Sequence, residues 1–329
     1  MARIRSGYAI ALVASVAVVI GVAIGPRPFQ RTDVPPDLPG PTTTTTEEAA
    51  PAPPAPDCGN PVASLRPDGP ATTAVPAGSY MEAIRAQGHL TVGVDVSTQL
   101  FSSVDPFSGE FEGFDIDIAH EVAAALFGDP HAVEFVAIPY SERLNVLSRP
   151  DDPLNMVADT FTINCARRQT IAFSSEYFTS SQRLLVRVDD TTTASIADLA
   201  GRKVCAAAGS TSIDNINALP EPRPKAVPVT QQADCLVLLQ QGKVDAISTD
   251  DTILAGMAAQ DPNVKIVGPP FSSEPYGLGL PPGHPDWVRY VNAVLEDVRT
   301  SGRWDQLYNQ WLQGALGPSP GPPPAAYSD

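Results

Sequence analysis

The chain has 329 residues, 43% of them apolar, and a formal net charge of −16. That length fits one large domain or two smaller ones with a packed core. The acidic balance argues against nucleic acid and against a polybasic membrane patch.

Residues 8–25, YAIALVASVAVVIGVAIG, form an uncharged apolar run behind Arg3 and Arg5. Two readings compete: a cleaved signal peptide and an uncleaved anchor that crosses the membrane once. About 20 apolar residues span a bilayer, and signal-peptide apolar cores are usually shorter. No clear A-x-A site follows the run, and no cysteine stands directly after it for lipid attachment. The anchor is the preferred expectation, with the arginines on the cytoplasmic side. Either way the remainder is expected on the extracytoplasmic face or beyond it.

Export changes the meaning of Cys58, Cys165, Cys205 and Cys235. Four cysteines in an oxidising compartment point to two disulfides, with three connectivities open. None sits in a C-x-x-C pair and no histidine neighbours one, so no metal site is expected.

Residues 26–78 hold fourteen of the 35 prolines and a Thr42–Thr46 run. They are expected to be an extended linker, with the Thr run a candidate for O-linked sugar. The tail 317–329, GPSPGPPPAAYSD, is expected to behave alike. Between them, 79–316 is the folded module. There strands and helices alternate. HLTVGVDV (89–96) places Leu90, Val92, Val94 and Val96 on alternate positions, a strand. FDIDIAHEVAAALFG (114–128) reads as a helix stopped by Gly128. AVEFVAIP (132–139) is a second strand, and ERLNVL begins a helix that Pro150 and Pro153 end. RKVCAAAGSTSIDNI (202–216) reads strand, tight turn, helix. The stretch 233–260 reads helix, strand, helix. NVKIVG (263–268) is a further strand, and the end is helical on the Trp287, Val291, Val294 and Val298 face. The fold class is α/β with more than one sheet.

Catalytic patterns fail. AGSTS (208–212) is not G-x-S-x-G, and no G-K-[ST] follows its glycine. The turn does offer a helix N-terminus with Ser210, Thr211 and Ser212, suited to a carboxylate or phosphate, or to simple capping. FTINCARR (161–168) sets Thr162 and Arg167 five residues apart. A guanidinium fork pairs with a carboxylate as no lysine does; the plainer alternative is a solvated Arg–Arg pair. VDAISTDD (244–251) ends a strand in Thr249, Asp250 and Asp251, the place where open α/β sheets bind ligands. A carboxylate there suits an ammonium, or caps the next helix. Together these form a charge-complementary set for a zwitterion, with no nucleophile beside a base.

In order, GHLTVGVDV, GEFEGFDIDIAHEVA, FTINCARRQTIAFSSEYF, LAGRKVCAAAGSTS, GKVDAISTDD, PYGLGLPPG and VNAVLEDVRTSGRWDQLYNQWL resemble the family 3 extracellular solute-binding proteins for polar amino acids. They are most similar to actinobacterial glutamine/glutamate-binding proteins of the GlnH type. The resemblance implies a two-lobed, type II periplasmic-binding-protein-like fold. Lobe 1 would be 88–182 with 276–314, lobe 2 would be 187–270, and hinge crossovers would lie near 181–186 and 271–277. It implies that Arg167 clamps a ligand α-carboxylate, helped by Thr162, and that Asp250 holds its α-ammonium. Ser210 and Thr211 would meet the carboxylate from the other lobe. Tyr140 would be an aromatic lid, Asp95 a polar contact, Thr160 a backbone contact and Phe101 a cleft-lining residue. Departures are Ala207, where some relatives carry a ligand-binding lysine, Asp159, and SRPDDPLNMVAD before the site. With the lobes assigned, Cys205–Cys235 is the natural bridge of lobe 2, leaving Cys58 with Cys165.

Two functions follow as expectations. The first is a membrane-tethered binding protein for glutamate, glutamine, aspartate or asparagine, serving an ABC permease or a membrane sensor, without cofactor or enzymatic activity. The alternative is a cyclohexadienyl dehydratase-like enzyme on the same fold, for which Asp250 or Asp95 lacks a partnering His or Glu.

Overall fold

The computed structural model describes residues 57–149 and 154–328. The apolar run 8–25 and the expected linker up to residue 56 lie outside them. Among the described residues no helix is long and apolar enough to cross a membrane.

The chain enters the first lobe through α1 (Tyr80–Gln87), which starts at a Ser79 cap and stops at Gly88 in the left-handed region. β1 (Leu90–Val94) follows and is buried along its whole length, as a strand covered on both faces must be. A short ribbon of β2 (Ser97–Thr98), β3 (Ser102–Val104) and β4 (Phe111–Glu112) leads into α2 (Phe114–Phe127). Next come β5 (Val133–Ala137), α3 (Arg143–Ser148), β6 (Met156–Val157) and β7 (Ala172–Phe173). β8 (Phe178–Arg187) crosses to the second lobe. There the chain forms β9 (Lys203–Ala207), α4 (Thr211–Asn217), β10 (Lys225–Val229), α5 (Asp234–Gln240), β11 (Ala246–Asp250) and α6 (Asp251–Gln260). β12 (Val264–Tyr276) returns to lobe 1, where β13 (Gly279–Leu280), α7 (Pro285–Thr300), α8 (Arg303–Trp311) and α9 (Gln313–Leu316) complete it.

Each lobe has its own five-stranded sheet, ordered β5-β1-β6-β13-β7 and β10-β9-β11-β8-β12. The parallel strands put the βα loops of each sheet at one edge, where ligands bind in open α/β sheets. β8 and β12 pair antiparallel, with Phe178 opposite Tyr276 and Gln182 opposite Ser272, and the register shifts beyond Ser272. The chain passes between the sheets at these paired ends: the second overlaps the crossover expected near 271–277, while the first lies before most of 181–186, whose residues 182–185 already pair with β11. Lobe 1 is centred on an aromatic nest of Phe101, Phe114, Tyr177, Phe178, Tyr276 and Trp304. Separate apolar clusters fill lobe 2 on either side of its sheet.

The disulfides are Cys58–Cys165 and Cys205–Cys235. The helix and strand readings hold among the described residues; Pro150 and Pro153, expected to end α3, lie outside them. The ribbon β2–β4, α1 and β10 are additions that apolar periodicity does not reveal, because the ribbon strands are too short and β10 carries Lys225 and Pro228.

Residues 57–78 fall in the expected linker and 317–328 in the expected free tail, yet both pack on lobe 1. Their carbonyls are claimed by long polar side chains. Arg168 donates to Pro61 O and Ala63 O, Asn292 Nδ2 to Leu65 O, and Arg299 Nε to Pro323 O. Ser64 donates to Phe173 O and pairs with Tyr327 in a parallel β-bridge. Backbone groups satisfied this way need no apolar stripe, so composition alone misses the packing.

Candidate ligand-binding site

Strand ends and helix starts from both lobes meet around a small, tightly filled cleft. Lobe 1 contributes Tyr140, Arg143, Thr160 and Thr162; lobe 2 contributes Ser210, Thr211, Ser212, Thr249, Asp250 and Ile253. A larger groove on the outer face of lobe 1 is lined by small apolar residues with Glu121, Glu296 and Asp297, and by no cation.

Asp250 ends β11 and occupies the N-cap position of α6, but its side chain makes no capping bond. It accepts instead from Tyr276 Oη at 2.5 Å. Burial pushes its carboxyl up to about 8, the neighbouring Glu274 carboxylate pushes the same way, and the Tyr276 hydrogen bond opposes both. Ser210 does cap α4: its Oγ accepts Ile213 N–H and donates to Ala207 O. Thr211 Oγ1 donates to Glu274 Oε2 at 2.7 Å and lies 3.5 Å from Thr162 Oγ1 across the cleft.

Arg167 opens a single 3₁₀ turn after Cys165. It lies one layer behind the cavity lining, 6% exposed. Nη1 donates to Thr162 O at 2.7 Å and Nη2 to Gly209 O of the other lobe at 3.2 Å. Burial lowers its guanidinium to about 9; Arg143 lowers it further, while Glu274, Asp214 and Asp250 raise it. Arg168 faces away, onto the strap at Pro61 and Ala63. It is therefore not the solvated half of an Arg–Arg pair.

Thr160 takes φ +40, a left-handed conformation unusual for a β-branched residue. Its N–H donates to Asp115 Oδ2, which holds that turn. Tyr140 Oη lies 3.3 Å from Thr160 Oγ1 and 2.8 Å from Thr98 Oγ1. Asp95 is buried beneath the cavity and accepts from Ser97 and Thr98, so it organises the ribbon rather than the lining. Phe101 lies in the aromatic nest, fully buried, and is not a lining residue. It packs edge-on to Tyr276, the residue that holds Asp250.

Sequence reasoning does not single out Arg143, which reads as an ordinary residue at a helix start. In the fold its guanidinium lies over the Tyr140 ring at 4.2 Å and the Phe161 ring at 4.5 Å. It donates to Tyr140 O, Asp159 O and Gly209 O. The signal available was its place three residues after Tyr140, one helical turn along the same face. Asp159 lies 3.8 Å from Arg143 Nε, and neither carboxylate oxygen has a hydrogen bond. Burial raises its carboxyl well above the usual range, against the pull of Arg143. Glu274 and Tyr276, on the crossover, are the other site groups that sequence patterns leave out.

Two lobes, a small polar cleft between them and a pair of antiparallel crossovers define a type II, periplasmic-binding-protein-like molecule. The sequence pattern of bacterial extracellular solute-binding proteins, family 3, matches residues 90–314. The ABC transporter glutamine-binding protein GlnH of Bacillus subtilis is 34% identical over 234 residues, covering 71% of this chain and 84% of that protein. A glutamine-binding protein of Geobacillus stearothermophilus is 36% identical over 214 residues, covering 64% and 80%. Among solved structures, a mutant of the arginine-binding protein ArgBP from T. maritima superposes with a TM-score of 0.66 at 27% identity, covering 71% of this chain and 99% of that one. An ancestral arginine-binding protein gives 0.64 at 30% identity, covering 68% and 98%. The chain belongs to the family 3 bacterial extracellular solute-binding proteins.

Proposed function

We propose that the protein binds one polar amino acid as its zwitterion between the lobes, glutamine first, with glutamate, aspartate and asparagine as competitors, and delivers it to an ABC permease or reports it to a membrane sensor. The observation that carries this reading is the set of groups that meet at the cleft: Arg143 lines it from lobe 1 with Arg167 one layer behind, bonded across to Gly209 O, and Asp250 lines it from lobe 2, with hydroxyls between. Arg167 and Thr162 take the α-carboxylate together with Ser210 and Thr211, and Asp250 takes the ammonium. Tyr140 and Thr160 close the lobe 1 wall, with Asp95 and Phe101 supporting it from behind. Glutamine is preferred because two relatives bear that name. Closure is a population shift, driven by contacts that exist only when both lobes meet the ligand. The apolar run 8–25 tethers the module to the membrane.

Calorimetry of the purified protein against the twenty amino acids tests the reading. Saturable heat with glutamine or its three competitors is expected, and no response to any amino acid would refute it. Arg167→Ala leaves a buried ligand carboxylate unpaired, a cost of about 3–5 kcal/mol. Binding of that variant at wild-type strength would remove Arg167 from the site.

A further inference from the structure

α6 lies between the two lobes. Its residues Thr252 to Met257 are all buried, because one side packs on the lobe 2 sheet and another meets lobe 1. At the lobe 1 contact stands Gly256. A Cβ there would lie 2.6 Å from Gln99 O and 3.2 Å from Gln99 Cβ. Gln99 belongs to the turn joining β2 and β3, on the opposite lobe. Gly256 lies inside a helix and needs no left-handed backbone, so the turn explains the glycine and helix geometry does not. Glycine inside a helix costs about 0.5–1 kcal/mol relative to alanine.

The neighbour cannot easily give way. Leu100, next in the turn, already holds φ +78, and Phe101 N–H donates to Thr98 O. Leu100 O and Phe101 O accept the first N–H groups of α2. Thr98 is tied to Asp95 and to Tyr140 Oη. Gly256 does not itself line the cavity, and stands one helical turn beyond Ile253, which does. Gly256 is six residues along the helix from Asp250, about 9 Å at the helical rise.

We infer that Gly256 sets how closely the lobes approach, so that a side chain at this position holds the cleft open and weakens ligand binding without touching the ligand. Gly256 is a positioning residue in this scheme, which rests on the binding function proposed above. Gly209 makes a second close approach, 2.7 Å from Ser141 Cα, but it adjoins the cavity and cannot separate closure from direct ligand contact.

The test is Gly256→Ala, with Gly314→Ala as control, since a Cβ at Gly314 of α9 meets nothing within 4 Å. The probe is L-glutamine, or whichever amino acid the wild type binds in the calorimetric survey. Gly256→Ala is expected to bind about ten- to a hundred-fold more weakly and to show less compaction by small-angle scattering on saturation. Its melting temperature without amino acid should equal or exceed wild type, because alanine favours the helix. Gly314→Ala should bind normally. Wild-type affinity and compaction in Gly256→Ala would overturn the inference. So would a lowered melting temperature or failure to fold, since the contact would then belong to the fold in every state. Wild-type protein that binds no amino acid would instead refute the proposed function, which keeps the two failures distinct.

Discussion

Asp250 is buried, accepts a 2.5 Å hydrogen bond from Tyr276 and sits near Glu274, with no cationic side chain hydrogen-bonded to it among the described residues. Its carboxyl is raised to about 8 from an ordinary value of 3.8. A group raised in this way binds its proton more tightly folded than unfolded. Its stabilising contribution is therefore complete below pH 4 and is lost as pH rises through 8. Asparagine does not titrate, so Asp250→Asn should gain stability over wild type progressively between those limits, while amino-acid binding is lost. Thermal melts of both proteins at pH 4.5, 6 and 8 check the trend. A difference that stays constant with pH would mean that Asp250 is not raised. Asp250 was legible because an acidic residue at a strand's C-terminal end has a chemical meaning in an α/β chain. Arg143 was not, because its burial depends on Gly209, 66 residues away and in the other lobe. Phe101 misled for a related reason. It stands near the cleft in sequence, but the left-handed Leu100 turns it into the aromatic nest.

The element that most departs from sequence expectation is the strap over 57–78. Alternating apolar residues and glycine stops marked the strands and helices of both lobes, since burial of one face is a local pattern. The strap lacks such a pattern and is held largely by partners 100 or more residues away, such as Arg168, Phe173 and Asn292. Cys165 and Arg168 bracket Arg167, and both bind the strap, one through Cys58 and the other through Pro61 and Ala63. The strap therefore braces the turn that carries the candidate carboxylate clamp. Closing a 107-residue loop is worth about 4–5 kcal/mol in the chain-entropy picture, and the 30-residue loop of Cys205–Cys235 about 3–4 kcal/mol. Replacing Cys58 and Cys165 together by serine should lower the melting temperature of lobe 1 and weaken amino-acid binding. The corresponding change at Cys205 and Cys235 should destabilise lobe 2, with a smaller effect on binding per degree lost. Paired calorimetric titrations and melts of the two double variants measure this. Equal loss of affinity per degree in both would show that the first bridge stabilises lobe 1 without positioning Arg167.

On the scale of the molecule, both disulfides lie within a lobe and none joins the two. The apolar clusters also divide, with Phe178 and Tyr276 of the crossovers in lobe 1 and Leu184, Leu185, Val186, Val264 and Val267 of the same strands in lobe 2. The lobes are covalently joined by two strands and otherwise meet at polar contacts such as Arg167 to Gly209 and at the close approach of α6 to the β2–β3 turn. Such an arrangement allows the lobes to unfold separately. A ligand that needs both lobes stabilises only the state in which both are folded. At a hundred-fold excess over its dissociation constant, that amounts to about 2.7 kcal/mol. Differential scanning calorimetry without amino acid should resolve two overlapping transitions. Saturating glutamine should move the lower one upward until the two merge, because loss of either lobe then releases the ligand. A single transition in both conditions would show that the interlobe contacts already couple the lobes. Two transitions that stay apart at saturation would show that the ligand is held by one lobe alone, contrary to a site shared across the cleft.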